Sequence, residues 1–157
     1  MGYISFDPWQ QKQVAAVAEM GDNQIDDVTA RAWRAFSDWK ILPPGERCKP
    51  VAAMADVIQQ RREYLAKLMA SEMGKPVVQG LAEADKCALL CRWYAENAPG
   101  MLEPERRPSS ANASFVMHEP QGIILGIMPW NFPFWQVFRF IVPALAGGNA
   151  ALLKHAS

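Results

Sequence analysis

The sequence has little of what usually marks metal, extracellular or nucleic-acid chemistry. Its 157 residues hold three cysteines and two histidines. An odd cysteine count with no secretory leader pattern builds no disulfide framework. Cys87 and Cys91 share a helical face, but a two-thiol metal site there needs two further ligands, and His118 and His155 are remote in the chain. The plainer expectation is small buried hydrophobes in a reducing cytoplasmic setting. Charge of one sign is also lacking: sixteen Lys and Arg balance sixteen Asp and Glu, and the Arg61-Arg62 and Arg106-Arg107 pairs form no patch. Nothing electrostatic therefore calls for nucleic acid or an anionic membrane. No clean apolar run reaches the roughly 18 residues of a membrane span, because Pro129, Pro133, Pro143 and Arg139 interrupt Ile123–Leu153. There is no internal repeat. Gly122-Ile-Ile-Leu-Gly126 is not the glycine-rich dinucleotide fingerprint, since its glycines precede or interrupt a strand pattern.

What is present divides into two halves. Val14–Glu19 is a short apolar run with strand character, while Met1–Asp7 is short and mixed. Asp22 or Asn23 can cap a helix whose apolar stripe is Ile25, Val28, Ala32, Ala35, Phe36 and Trp39. Pro43-Pro44 stops it and pre-sets the next helix. Val51, Met54, Ala55 and Ile58, then Tyr64, Leu65, Leu68 and Met69, continue the helical period. Arg61-Arg62-Glu63 reads equally as a break or a solvated face. Gly74 suits a left-handed helix cap, with Pro76 beyond it. A third helix is expected from Val77 to Ala98, ending at Pro99-Gly100, with Leu81, Ala84, Ala88, Cys91 and Ala95 as its stripe.

Met101–Asn112 reads as a linker. Ala113–Glu119 has the composition of a strand, and Glu119–Gly122 that of a turn. Ile123–Met128 is a continuous apolar run, as expected of a strand covered on both faces. Phe132–Ala146 is helical in length and period, and Ala150–Lys154 is a second short apolar strand. Strand, helix, strand in this order predicts a βαβ unit with parallel strands and a right-handed crossover. The fold class is α/β.

In open α/β sheets ligands bind beyond the carboxyl ends of the strands. Pro129-Trp130-Asn131 follows the first strand, and Lys154-His155-Ala156-Ser157 the second. Asn131 can aim a neutral N–H donor at a developing oxyanion, or it can cap the following helix. Lys154 can place an ammonium beside ribose hydroxyls or phosphate, or it can be a solvated strand end. Asn131, Trp135 and Arg139 are four apart, which predicts one helical face.

Gly122–Ser157, centred on Pro129-Trp130-Asn131-Phe132-Pro133-Phe134-Trp135-Gln136, resembles the NAD(P)-dependent aldehyde dehydrogenase family. Glu72-Met73-Gly74-Lys75-Pro76, Lys86-Cys87-Ala88 and Tyr94-Ala95-Glu96-Asn97-Ala98 resemble the same family. With Leu153-Lys154-His155-Ala156 they lean towards its succinate-semialdehyde branch. The resemblance implies an incomplete aldehyde dehydrogenase fold: helices over 1–112, a strand and turn of an oligomerisation arm over 113–122, and the first βαβ unit of a Rossmann-like NAD(P)-binding domain over 123–157. It implies Asn131 as oxyanion donor. It further implies Ile127, Met128, Pro129, Trp130, Lys154 and Ser157 as contacts to NAD or NADP, and a homo-oligomer in the complete enzyme.

Ser157 falls where many members carry a ribose-binding Glu. The missing carboxylate removes one barrier to a 2′-phosphate, and so to NADP. Arg139 falls where semialdehyde-type members place a carboxylate-binding Arg, with Trp135 beside it in the substrate site, and it reads equally as an exposed or internally salt-bridged Arg. The N-terminal Asp7-Pro8-Trp9-Gln10-Gln11-Lys12 departs from the small, Gly-containing turn usual in the family. None of Cys48, Cys87 and Cys91 matches the family's nucleophile, and the general base is not matched either. The expectation is an N-terminal portion of such an enzyme, inactive on its own and prone to aggregate through open strand edges. The alternative is a non-catalytic helical interaction fragment that docks onto intact subunits.

Overall fold

A computed structural model describes residues 2–156. Two strands, β1 (Gly2–Asp7) and β2 (Lys12–Ala18), form an antiparallel hairpin. Four helices follow: α1 (Asp22–Trp39), α2 (Pro44–Gln60), α3 (Arg62–Met73) and α4 (Val77–Met101). Two-residue strands β3 (Glu105–Arg106) and β4 (Phe115–Val116) pair antiparallel. The chain then enters β5 (Ile123–Ile127), α5 (Trp135–Ala146) and β6 (Ala150–Lys154). β5 and β6 pair in parallel, with Ile123 opposite Ala150 and Ile127 opposite Lys154. The α/β class and the parallel pair agree with the sequence reading.

The core is helical. Val51, Ala55 and Ile58 of α2 meet Ala84, Cys87, Ala88 and Cys91 of α4, and Val142 of α5 closes the cluster. Small side chains on α4 let its neighbours approach. A methyl group on Gly80 would come within 3.1 Å of the Ala66 side chain of α3. The same logic seats α5 on β5, because any side chain at Gly126 would overlap the Phe140 ring. Gly126 is thus a packing glycine and not a phosphate-loop glycine.

Several expectations need correction. Met1–Asp7 reads only as short and mixed, and the structure makes Gly2–Asp7 a strand. The Asp7 carboxylate accepts N–H bonds from Trp9 (2.8 Å) and Gln10 (3.0 Å), which makes the turn without glycine. The segment 61–63 is a break: Arg61 leaves helical geometry and α3 starts anew. Gly74 caps α3 with φ 71°, as read from the sequence. α4 runs three residues past Ala98 and carries Pro99 in its last turn. A strand over 113–119 shrinks to Phe115–Val116, because its partner is the two-residue β3 within the expected linker. The stripe on α1 is only partly covered: Phe36 is buried, whereas Ile25 is half exposed. An apolar groove of about 410 Å³ remains between Ala32, Ala35 and Trp39 of α1, α2, and Ala150 of β6. It opens at the amino end of β6, a strand's length from Lys154. No helix among the described residues is long and apolar enough to cross a membrane.

Candidate active site

The carboxyl ends of β5 and β6 lie side by side. The Met128 N–H donates to the Lys154 carbonyl at 3.1 Å, one step beyond the last ladder pair. Ile127, Pro129, Trp130 and Lys154 are exposed and Met128 is half-buried. Ile127 and Trp130, 70% and 61% exposed, leave an apolar surface at the edge where a planar ring or sugar can lie. The Lys154 ammonium stands 5.6 Å from the Tyr3 ring centre. Ser157 lies outside the described residues.

Asn131 is exposed, and among the described residues its carboxamide has no hydrogen-bond partner. It does not cap α5, whose N-cap position is Phe134 and whose cap carries no local side-chain bond. Helix α5 starts at Trp135 and not at Phe132. Asn131 therefore lies in the preceding turn and not on one helical face with Trp135 and Arg139. Trp135 is half-buried, with the Lys86 ammonium 3.8 Å from its ring centre. Arg139, one turn further along α5, is exposed and in no ion pair among the described residues.

The late start of α5 has a cause in the helical half. Glu83 of α4 is 4% exposed. Its Oε1 accepts the backbone N–H groups of Phe134 and Trp135, both at 2.9 Å. Its Oε2 is paired with the Lys75 ammonium, itself 6% exposed. Lys75 also donates to the Asn131 carbonyl at 3.3 Å and sits 3.8 Å from the centre of the Phe132 ring. A buried carboxylate at a helix N-terminus replaces the missing cap and complements the helix dipole. In the sequence Lys75 stands within a family-like stretch, while Glu83 belongs to no motif. A signal existed: Glu83 falls on the same face as Gly80 and Cys87, and a charge on a buried stripe must be paired.

The three cysteines are buried. Burial, with the nearby Glu83 charge second, pushes the Cys87 thiol up to about 12. Burial pushes Cys91 up to about 11 and raises Cys48 as well. Thiols held this far above neutrality are not activated nucleophiles.

Residues 3–157 match the model of the aldehyde dehydrogenase family. The chain belongs to the aldehyde dehydrogenase family. It is 49% identical over 126 residues to the probable succinate-semialdehyde dehydrogenase [NADP(+)] of Synechocystis sp., covering 80% of this chain and 28% of that protein. It is 38% identical to the succinate semialdehyde dehydrogenase [NAD(P)+] Sad of Escherichia coli (strain K12), over 98% of this chain and 33% of that one. A crystal structure of succinic semialdehyde dehydrogenase from Streptococcus pyogenes in complex with NADP+ superposes with a TM-score of 0.93 at 28% identity. That match covers 98% of this chain and 34% of the other. The chain spans about a third of the length of the relatives it matches.

Proposed function

We propose that this chain is the N-terminal part of an NAD(P)-dependent aldehyde dehydrogenase that oxidises succinate semialdehyde to the dicarboxylate, in a cytoplasmic homo-oligomer. The observation that carries the reading is the placement of Asn131. It has an unengaged carboxamide, in a turn tied to the core at both ends, beyond two parallel strands. In that role its N–H₂ donates to the aldehyde oxygen as negative charge grows there. The names of the relatives support the substrate and the cofactor.

Ile127, Met128, Pro129, Trp130 and Lys154 would hold the dinucleotide along the strand ends, with Ser157 beside the ribose. When bound, the dinucleotide supplies the hydride acceptor. Arg139 would grip the substrate's distal carboxylate through two parallel N–H bonds, and Trp135 would wall the same side. The nucleophile and general base would come from outside these 157 residues. Cys48, Cys87 and Cys91 are sealed in the core, and Glu83 is committed to Lys75 and two backbone N–H groups.

The test compares purified residues 1–157 with the same residues extended by the downstream two thirds of the Synechocystis relative. The extended chain is expected to reduce NADP with succinate semialdehyde, and residues 1–157 alone to produce no NAD(P)H. Turnover by the short chain contradicts the division of labour. An extended chain that folds yet turns over nothing contradicts the enzymatic reading and favours a non-catalytic interaction fragment.

A further inference from the structure

Two groups bracket Asn131, and neither belongs to the strands that carry the site. The Lys75 ammonium holds the Asn131 carbonyl itself. The Glu83 carboxylate holds the N–H groups three and four residues later. Between these anchors, Pro133 has no N–H to offer. The carboxamide makes no hydrogen bond in the described chain, so the backbone of residues 131–134 sets the point from which it projects. The two anchors are also each other's counter-ion, buried to 5% and 2% side-chain exposure. A buried ion pair seldom stabilises more than an apolar pair of the same volume would. Its retention here has a geometric explanation: each partner keeps bonding capacity free to grip the turn. A general consequence follows from near-attack geometry, in which an error of about 1 Å costs on the order of 100-fold in rate.

We propose that Lys75 and Glu83 are positioning residues for the Asn131 donor. They fix the turn between β5 and α5 so that the carboxamide meets the developing oxyanion without rearrangement. The proposal rests on the reading of Asn131 given above, and its test has two arms.

In the kinetic arm, Lys75→Met, Glu83→Ala and Glu83→Gln are made in the extended chain and assayed per folded active site. Lys75→Met and Glu83→Ala are expected to lower kcat by about 100-fold, with KM for NADP within about threefold of the parent, a shift of under 0.7 kcal/mol in ground-state binding. Glu83→Gln keeps an oxygen for the two N–H groups and is expected to recover at least about tenfold of the loss. Unchanged kcat per folded site overturns the proposal. So does a loss that Glu83→Gln fails to relieve, because an acceptor oxygen for the two N–H groups would then not be what sustains kcat.

In the exchange arm, amide hydrogen exchange is read by mass spectrometry on the 157-residue chain. The expected result for Glu83→Ala is acceleration of exchange that is larger in peptides spanning 131–136 than in 51–58 and 84–91. Where Glu83→Ala loosens the whole chain, the double variant Lys75→Met/Glu83→Gln, which buries no unpaired charge, is read in its place. Uniform acceleration in both overturns the proposal. An unvaried extended chain without turnover defeats the enzymatic reading, and the exchange pattern still decides whether the pair anchors the turn.

Discussion

Helix α5 is held by a buried charge at each end, and the two ends are built differently. At its amino end Glu83 accepts the Phe134 and Trp135 N–H groups and carries its own counter-ion, Lys75. At its carboxyl end the buried Arg47 guanidinium donates to the Ala146 carbonyl at 3.2 Å, and to Lys40 and Leu42 carbonyls at the end of α1. Trp39 takes the Leu145 carbonyl at 2.9 Å. Both charges have the sign that the helix dipole favours. The carboxyl end has a lone cation on backbone oxygens, its affinity for the proton lowered by burial. The amino end has an ion pair, and only there does the pair reach a turn that exposes a donor to the strand ends. Arg47 ties helices together, whereas Lys75 and Glu83 also hold the turn that carries Asn131.

That contrast breaks most sharply by truncation. Glu83→Ala leaves the Lys75 ammonium buried without its partner and is expected to lose about 3–5 kcal/mol in urea unfolding. Arg47→Met leaves three backbone carbonyls unserved and is expected to lose about 2–3 kcal/mol, with kcat per folded site of the extended chain unmoved. If Arg47→Met depresses kcat as strongly as Glu83→Ala, the two ends are equivalent and the comparison fails. The smallest effect is a surface control. Arg62 binds Asp85 at 2.6 and 2.7 Å, and with Gln59 it holds the Asp85 carboxyl below its ordinary value. A carboxyl depressed in the folded state adds stability above its ordinary pKa and loses it as pH falls through the folded one. Asp85→Asn should therefore lower Tm slightly at pH 7, and the gap should close on acidification and shrink with salt. A gap that widens in acid contradicts the assignment.

The βαβ unit was legible because its signals are local. An unbroken apolar run marks Ile123–Ile127, a 3.6-residue period marks α5, and a second run marks Ala150–Lys154. Parallel pairing followed from the strand–helix–strand order. The hairpin was half legible. β2 is an apolar run, but β1 turns through an Asp7 side-chain bond with Gln11 at φ 54°, and no Asn-Gly or Gly-Gly pair announces it. The place of Asn131 beyond β5 was legible from the sequence, yet the side chain that grips its turn was not. Glu83 reaches the turn from 51 residues away, and no spacing rule spans that distance. The start of α5 was misplaced for the same reason, since the groups that satisfy its first N–H donors come from another helix.

The measurement that bears most directly on the account is kcat for succinate semialdehyde in the extended chain carrying Asn131→Ala. Loss of one oxyanion donor is expected to cost about 10²–10³ in kcat, with NADP binding and fold intact. An Asn131→Ala enzyme that turns over at the parent rate would contradict the central role given to that carboxamide.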